Sequence, residues 1–378
     1  MTPETYQRER ETDHLTNQPY PGLPFCSRDS QIHDLERERD YSASRMTDIR
    51  NAPNPDGQFK RAPSAFRSSI SRSPTAPFPA ERDRYVLYIN TGCPWAHRTN
   101  IVRTLKGLES IIECVVLDPR LTPDGWYFSG EYDSAVADPL YGFTHLKELY
   151  LKADPGYVGN YTVPVLWDKK KETIVSNESG DIIRFMYEEF DELLVDEQDA
   201  LREANRAGGG LYPEHLRAKI DEMNEWVYET VNNGVYRCGF ARSQEAYNQS
   251  VYLLFASLDR IEEHLGQLDH QPYLFGENIT EADIRLYTTM IRFDVAYHGI
   301  FKCNLKMIRH DYPRIHRWLR TLYWDESERT CGGAFKKTTH FNVYKPAYLS
   351  SLQVKMGSTD KLVPAGPSPD ISPLTNDL

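Results

Sequence analysis

The stretch that decides the fold runs Tyr85-Val86-Leu87-Tyr88-Ile89-Asn90-Thr91-Gly92-Cys93-Pro94-Trp95-Ala96-His97-Arg98. Its first five residues form a short apolar, β-rich run, the pattern of a buried strand. Asn90-Thr91-Gly92 is turn chemistry. Pro94 then suits the first turn of a helix, where its missing N–H costs nothing. From Ala96 to Leu108 the residues Ile101, Val102 and Leu105 share one helical face, and Ile111 to Leu117 reads as a second strand. Strand, helix, strand in that order predicts a parallel βαβ unit.

Downstream, residues 119–160 read as a long aromatic insert containing Gly and Asp. Thr162-Val163-Pro164-Val165-Leu166-Trp167 predicts a further strand, its proline demanding either a strand that starts there or a special bond before it. Glu172 to Val175 is its hairpin partner. Ser176-Asn177-Glu178-Ser179 supplies N-cap chemistry for a helix carrying Ile182, Ile183, Phe185 and Met186. Residues 191–210, acidic and then Gly-rich, read as a linker. From Leu211 to about Trp324 the pattern is helical: Val251, Leu254, Phe255, Leu258, Ile261 and Leu265 line one face of a long helix. Thr280-Glu281-Ala282-Asp283 resembles a capping box, with Ile279 and Ile284 at the staple positions.

This divides the chain into a mostly irregular extension at 1–56, an α/β domain at 57–190, the linker, an all-α domain at 211–345 and an irregular Pro- and Ser-rich tail at 346–378. The first eighty residues read as mostly irregular, although the spaced aromatics from Phe59 to Phe66 could pack along the folded body.

The chain has 378 residues and a formal net charge of -11, which disfavours a nucleic-acid partner. No apolar run reaches the length of a membrane span, and the N-terminal residues lack the apolar core of a secretory signal. The six cysteines, Cys26, Cys93, Cys114, Cys238, Cys303 and Cys331, are scattered and match neither a disulfide framework nor a zinc site. A reducing, cytoplasmic setting is the expectation, with no metal.

Cys93 stands where a strand gives way to a helix, a place where free N–H groups and the helix dipole favour a thiolate. The plain alternative is a small buried cysteine. Ala96 holds the position where a local resolving thiol would sit. A mixed disulfide on Cys93 then needs an outside thiol, most simply glutathione. A cis bond at Val163-Pro164 would turn the Val163 backbone outward for an extended peptide. Glu178 offers a charge for an ammonium group. The Ser179 hydroxyl and the helix start offer a seat for a carboxylate, although plain capping explains both residues equally. His97 and Arg98 read as structural or solvent-facing. Trp126 suits covering a peptide or filling a core. Tyr236, Tyr247, Tyr297 and His298 lie among other aromatics, where a tyrosine hydroxyl could serve a leaving phenolate and where simple packing is the commoner role.

Together, Cys93-Pro94-Trp95-Ala96-His97-Arg98, Gly125-Trp126-Tyr127-Phe128, Thr162 to Asp168, Ile174 to Ser179 and Thr280 to Leu286 resemble the glutathionyl-hydroquinone reductases, the Xi class of glutathione transferases. Gly239-Phe240-Ala241, Gln244 to Tyr247 and Phe301-Lys302-Cys303 extend the likeness, which covers about 57–345. The resemblance implies a thioredoxin-like N-terminal domain followed by a helical glutathione transferase C-terminal domain, in a homodimer. It implies Cys93 as nucleophile, with glutathione as co-substrate held by Trp126, Val163, Pro164, Glu178 and Ser179. Tyr236 and Tyr297 match tyrosines lining a hydroquinone pocket for an aromatic glutathionyl conjugate. Two positions depart from the family: Asn160 stands where an arginine is usual, and Tyr344 stands in for a His-Tyr-Tyr-like run after His340. Rival readings are an omega-like thioltransferase or dehydroascorbate reductase, a transferase that forms carbon–sulfur bonds, and a non-catalytic ligand-binding protein.

Overall fold

The computed structural model describes residues 56–374. The expectation for 1–56, and Cys26 with it, falls almost wholly outside the described residues.

Strand β1 (Tyr85–Asn90) is buried throughout, as its uninterrupted apolar run predicts. Helix α1 (Pro94–Leu105) follows, with Pro94 in its first turn and Cys93 as N-cap. Strand β2 (Glu113–Leu117) returns parallel to β1, pairing Leu87 with Cys114. The insert carries helix α2 (Leu146–Ala153), whose N-terminal N–H groups at Thr144 and His145 are taken by the Glu148 carboxylate. Strand β3 (Val165–Asp168) starts just after Pro164, and the Val163–Pro164 bond is cis. It runs antiparallel to β1 and to β4 (Thr173–Ser176), giving the order β2-β1-β3-β4. Helix α3 (Ser179–Glu188) closes this half.

The segment preceding β1 lies along the body, as its spaced aromatics suggest. Ser68 N–H donates to the Val175 carbonyl at 3.0 Å and Asn177 N–H to that of Phe66 at 3.0 Å, so the outer edge of β4 is covered. Residues 191–210 form short turns pinned by a buried lysine: Lys106 Nζ lies 2.7 Å from Asp191 and 3.2 Å from Glu203.

The second half is helical. Helix α4 (Arg217–Val227) runs through a π turn at Tyr228–Asn232 into α5 (Gly234–Gly239). Helix α6 (Gln244–His264) is capped by Ser243, whose Oγ accepts from Ala246 N–H, and buries Val251, Leu254, Phe255, Leu258 and Ile261. Helix α7 (Glu281–Arg292) continues through a second π turn at Phe293–Tyr297. The capping box is tied chiefly by its acid. The Asp283 carboxylate accepts from Thr280 N–H at 2.8 Å, Leu274 N–H at 2.9 Å and Trp318 Nε1 at 2.9 Å. Helix α8 (Pro313–Trp324) packs on α6 and α7.

The reading of an irregular tail from 346 onward is corrected. Residues 341–356 form helix α9 (Phe341–Met356), with Pro346 inside it. Four buried side chains, Val343, Tyr344, Ala347 and Tyr348, hold that helix to the body despite the one missing N–H. Residues 357–374 are irregular but tied down by side-chain donors. Trp324 Nε1 donates to the Ile371 carbonyl at 2.7 Å and Arg309 Nη2 to that of Ser368 at 2.7 Å.

Candidate active site

Cys93 caps α1 with extended backbone, φ -77 and ψ 123. Its N–H donates to the Asn90 Oδ1 at 2.8 Å, which fixes the turn; its carbonyl accepts from His97 N–H at 3.0 Å. The sulfur is half-buried and lies 3.7 Å from the Val163 carbonyl. The N–H groups of Trp95 and Ala96 at the helix start favour the thiolate, but burial outweighs them and pushes the thiol above its ordinary range. The expected lowering by the helix N-terminus is therefore present as a force and is not the net result. The Arg292 and Arg61 charges act with those N–H groups to favour the thiolate.

Arg292 is the largest charged feature beneath the Cys93 turn. It is wholly buried at the end of α7. It donates to the carbonyls of Gly92 and Thr91, each at 3.1 Å, to that of Thr288 at 2.8 Å, and to His97 Nδ1 at 2.9 Å, and its guanidinium stacks on Tyr344 at 4.2 Å. No carboxylate pairs with it among the described residues. Because Arg292 is always a donor, His97 Nδ1 is the acceptor and Nε2–H faces Thr338 Oγ1 at 2.9 Å. His97 and Arg98 are both buried, which settles the alternative of solvent-facing side chains against it. Arg98 donates to Asn232 Oδ1 at 2.7 Å and lies 4.5 Å over Trp95.

On one flank the sulfur meets the Val163 carbonyl, just before the cis Pro164. Glu178 caps α3: its Oε1 accepts from Gly180 N–H at 3.0 Å and its Oε2 from Ser64 Oγ at 2.9 Å. Ser179 is buried behind it. Ser64 was not singled out in the sequence, since nothing local marks a serine lying more than a hundred positions before the helix it reaches. Trp126 is half-buried and its carbonyl accepts from Leu146 N–H at 2.9 Å; these bonds tie it to the insert, not to Cys93. Asn160 accepts the Tyr157 hydroxyl on its carbonyl at 3.0 Å.

The other flank is aromatic. The Tyr236 ring stacks on Trp95 at 6.5 Å and meets Tyr297 at 6.2 Å and Phe301 at 5.5 Å. Tyr297 is fully buried, and its hydroxyl pairs with that of Tyr348 at 2.7 Å. Tyr348 in turn donates to the Gly92 carbonyl at 3.2 Å, one residue from the sulfur. The residue that joins the tyrosine pair is thus Tyr348 of α9, whereas Tyr344 lies under Arg292. Burial pushes the Tyr236 phenol up to about 12 and those of Tyr297 and Tyr348 further, so all three are proton donors at neutral pH. Tyr247 stands apart, its hydroxyl donating to the Lys302 carbonyl at 2.6 Å. Among the described residues no group of His, Cys, Asp and Glu is placed to hold a metal ion.

Residues 92–189 match the glutathione S-transferase N-terminal domain and 244–321 its C-terminal domain. The chain is 46% identical over 327 residues to glutathione S-transferase omega-like 2 of Schizosaccharomyces pombe, an overlap of 86% of this chain and 98% of that protein. It is 48% identical over 273 residues to glutathionyl-hydroquinone reductase YqjG of Escherichia coli, covering 71% of this chain and 79% of that one. The crystal structure of the Xi glutathione transferase ECM4 from Saccharomyces cerevisiae in complex with glutathione aligns at a TM-score of 0.73 and 37% identity, over 84% of this chain and 99% of that one.

Proposed function

The chain belongs to the glutathione transferase family, in its Xi or glutathionyl-hydroquinone reductase class, and from that premise we propose that Cys93 carries a two-step reduction of glutathionyl-hydroquinones. In the first step the Cys93 thiolate attacks the glutathionyl sulfur. The sulfur–ring bond breaks, its electron pair passes to the ring carbon, and that carbon takes a proton as the hydroquinone leaves. Cys93 is left in a mixed disulfide with glutathione. In the second step another glutathione thiolate attacks that disulfide, releasing glutathione disulfide and the Cys93 thiolate. The net exchange is one glutathione and one conjugate for one hydroquinone and one glutathione disulfide.

The observation that supports this reading is the Cys93 sulfur 3.7 Å from the Val163 carbonyl and one residue from the Gly92 carbonyl that Tyr348 meets. On one side, the Val163 backbone and the start of α3 with Glu178 and Ser179 suit the two ends of a γ-glutamyl group. On the other, Tyr236 offers its ring and phenol to an aromatic leaving group, backed by Tyr297 and Tyr348, whose hydroxyls chain to the Gly92 carbonyl. Burial raises the thiol, and the N–H groups of Trp95 and Ala96 with the Arg292 and Arg61 charges act against that rise, toward the anion that attacks.

Brief exposure to a glutathionyl-hydroquinone should leave a glutathione adduct on Cys93 by mass spectrometry, and Cys93→Ala should abolish both adduct and turnover. Undiminished turnover in that variant would refute the assignment. By its class the working form is a homodimer in the cytoplasm, which light scattering and cell fractionation test. No helix among the described residues is long and apolar enough to cross a membrane.

A further inference from the structure

Arg61, whose charge also favours the Cys93 thiolate, is carried by the segment before β1 to the aromatic flank of the site. Its guanidinium lies 4.7 Å over Trp95, 5.0 Å over Tyr236 and 5.7 Å from Phe59. Its Nε donates to Asn233 Oδ1 at 2.9 Å. The group is thereby held on its faces by rings and at one edge by an amide. Its other edge, the two Nη groups, makes no hydrogen bond and no ion pair with the described residues, and the side chain is exposed. A guanidinium stacked on aromatics keeps its in-plane N–H fork free, and that fork matches a carboxylate with two parallel bonds.

Position separates this cation from the peptide seat. Asn233 and Tyr236 belong to the aromatic flank, whereas Glu178 is met by Ser64, further along the same segment. The chain carries a net charge of -11, and Arg61 is an exposed cation that makes no ion pair with a carboxylate among the described residues. Such a group attracts an anion entering the pocket.

We propose that Arg61 recognises an acidic group on the aromatic half of the conjugate, so that ring-carboxylated glutathionyl aromatics are preferred ligands. This rests on the reading of the pocket as the seat of an aromatic glutathione conjugate. The carboxylate would take the free Nη fork while its ring lies against the part-exposed Trp95 and Tyr236.

The test is calorimetric binding of two thioether probes that Cys93 cannot turn over by the proposed route, S-benzylglutathione and its para-carboxybenzyl analogue. They share the glutathione half, so its own carboxylates cancel in the comparison. The wild-type chain is expected to favour the carboxylated probe. R61Q should cut that preference by about tenfold, the worth of a charge-assisted hydrogen bond, and R61K should keep part of it. No preference in the wild type, or an R61Q variant that keeps the preference or loses affinity equally for both probes, overturns the proposal. The reductase reading fails by a different readout, absence of turnover on a glutathionyl-hydroquinone.

Discussion

Arg292 shows most directly how single residues set the chemistry. A guanidinium removed from water without a counter-charge costs several kcal/mol unless its donors are met. Three carbonyls and His97 Nδ1 meet them, and two of those carbonyls belong to the Thr91-Gly92 turn that presents Cys93. Replacing it by methionine removes both the turn's anchor and the charge favouring the thiolate. In R292M the pH midpoint of Cys93 alkylation by iodoacetamide should rise by about one unit, with R292K nearer the wild type; an unmoved midpoint would show Arg292 to be scaffold alone. His97 gives a second residue-scale expectation. Burial and Arg292 hold it neutral, well below its usual range. Below about pH 6.5 the unfolded chain binds a proton that the folded ring refuses. Stability therefore falls as the pH drops through that value, and a new ring proton at Nδ1 would face the Arg292 donor. Urea midpoints measured from pH 7.5 to 5 should decline, and the decline should be shallower in His97→Gln. At this scale the contiguous motifs were legible, because Cys93, Val163 and Glu178 each sit at a local break between strand and helix. Arg292, Tyr348, Ser64 and Arg61 were not, because each acts on a part of the chain far from its own position.

Elements decide which of the many tyrosines reach the sulfur. Tyr236 follows the π turn at Tyr228–Asn232, and Tyr297 closes the one at Phe293–Tyr297. An extra residue in a helical turn rotates everything after it relative to a 3.6-residue pattern. Periodicity alone therefore misplaces both, and only the family likeness singled them out. The third tyrosine arrives on α9, which the sequence hid behind Pro346. A proline five residues past the start of a helix reads as a breaker, but burial of Tyr344, Ala347 and Tyr348 outweighs the lost bond. The hydroxyl chain from Tyr297 through Tyr348 to Gly92 makes Tyr348 the phenol nearest the reacting turn. Tyr348→Phe should lower turnover of a glutathionyl-hydroquinone by roughly 100-fold, the low end of general acid catalysis, while Cys93 alkylation keeps its rate. If turnover is unchanged, the pocket's proton comes from elsewhere.

At the scale of the whole molecule, the sheet half and the helical half share a continuous core, and their polar contact centres on Glu281. This carboxylate is fully buried at the start of α7. It accepts from Arg184 Nε at 3.0 Å and the Tyr187 hydroxyl at 2.5 Å on α3, from Asn224 Nδ2 at 3.1 Å on α4, and pairs with Arg285 at 2.7 Å. The sequence marked Glu281 only as a helix-start residue, since an acid in a first turn needs no further explanation. Its partners on α3 precede it by almost a hundred positions. Glu281→Ala strands the Arg285 guanidinium and the Tyr187 phenol at the junction, while Arg184 keeps Asp221, a loss of about 3 kcal/mol by the usual cost of breaking a buried pair. Glu281→Gln keeps acceptor and donor atoms in place and should lose less. Because the junction is shared by both halves, calorimetry of each variant should show one transition moved to lower temperature. Two separate transitions would mean that the sheet and the helices hold themselves together independently, and that the Cys93 turn, which Arg292 ties to α7, is not stabilised by the junction at all.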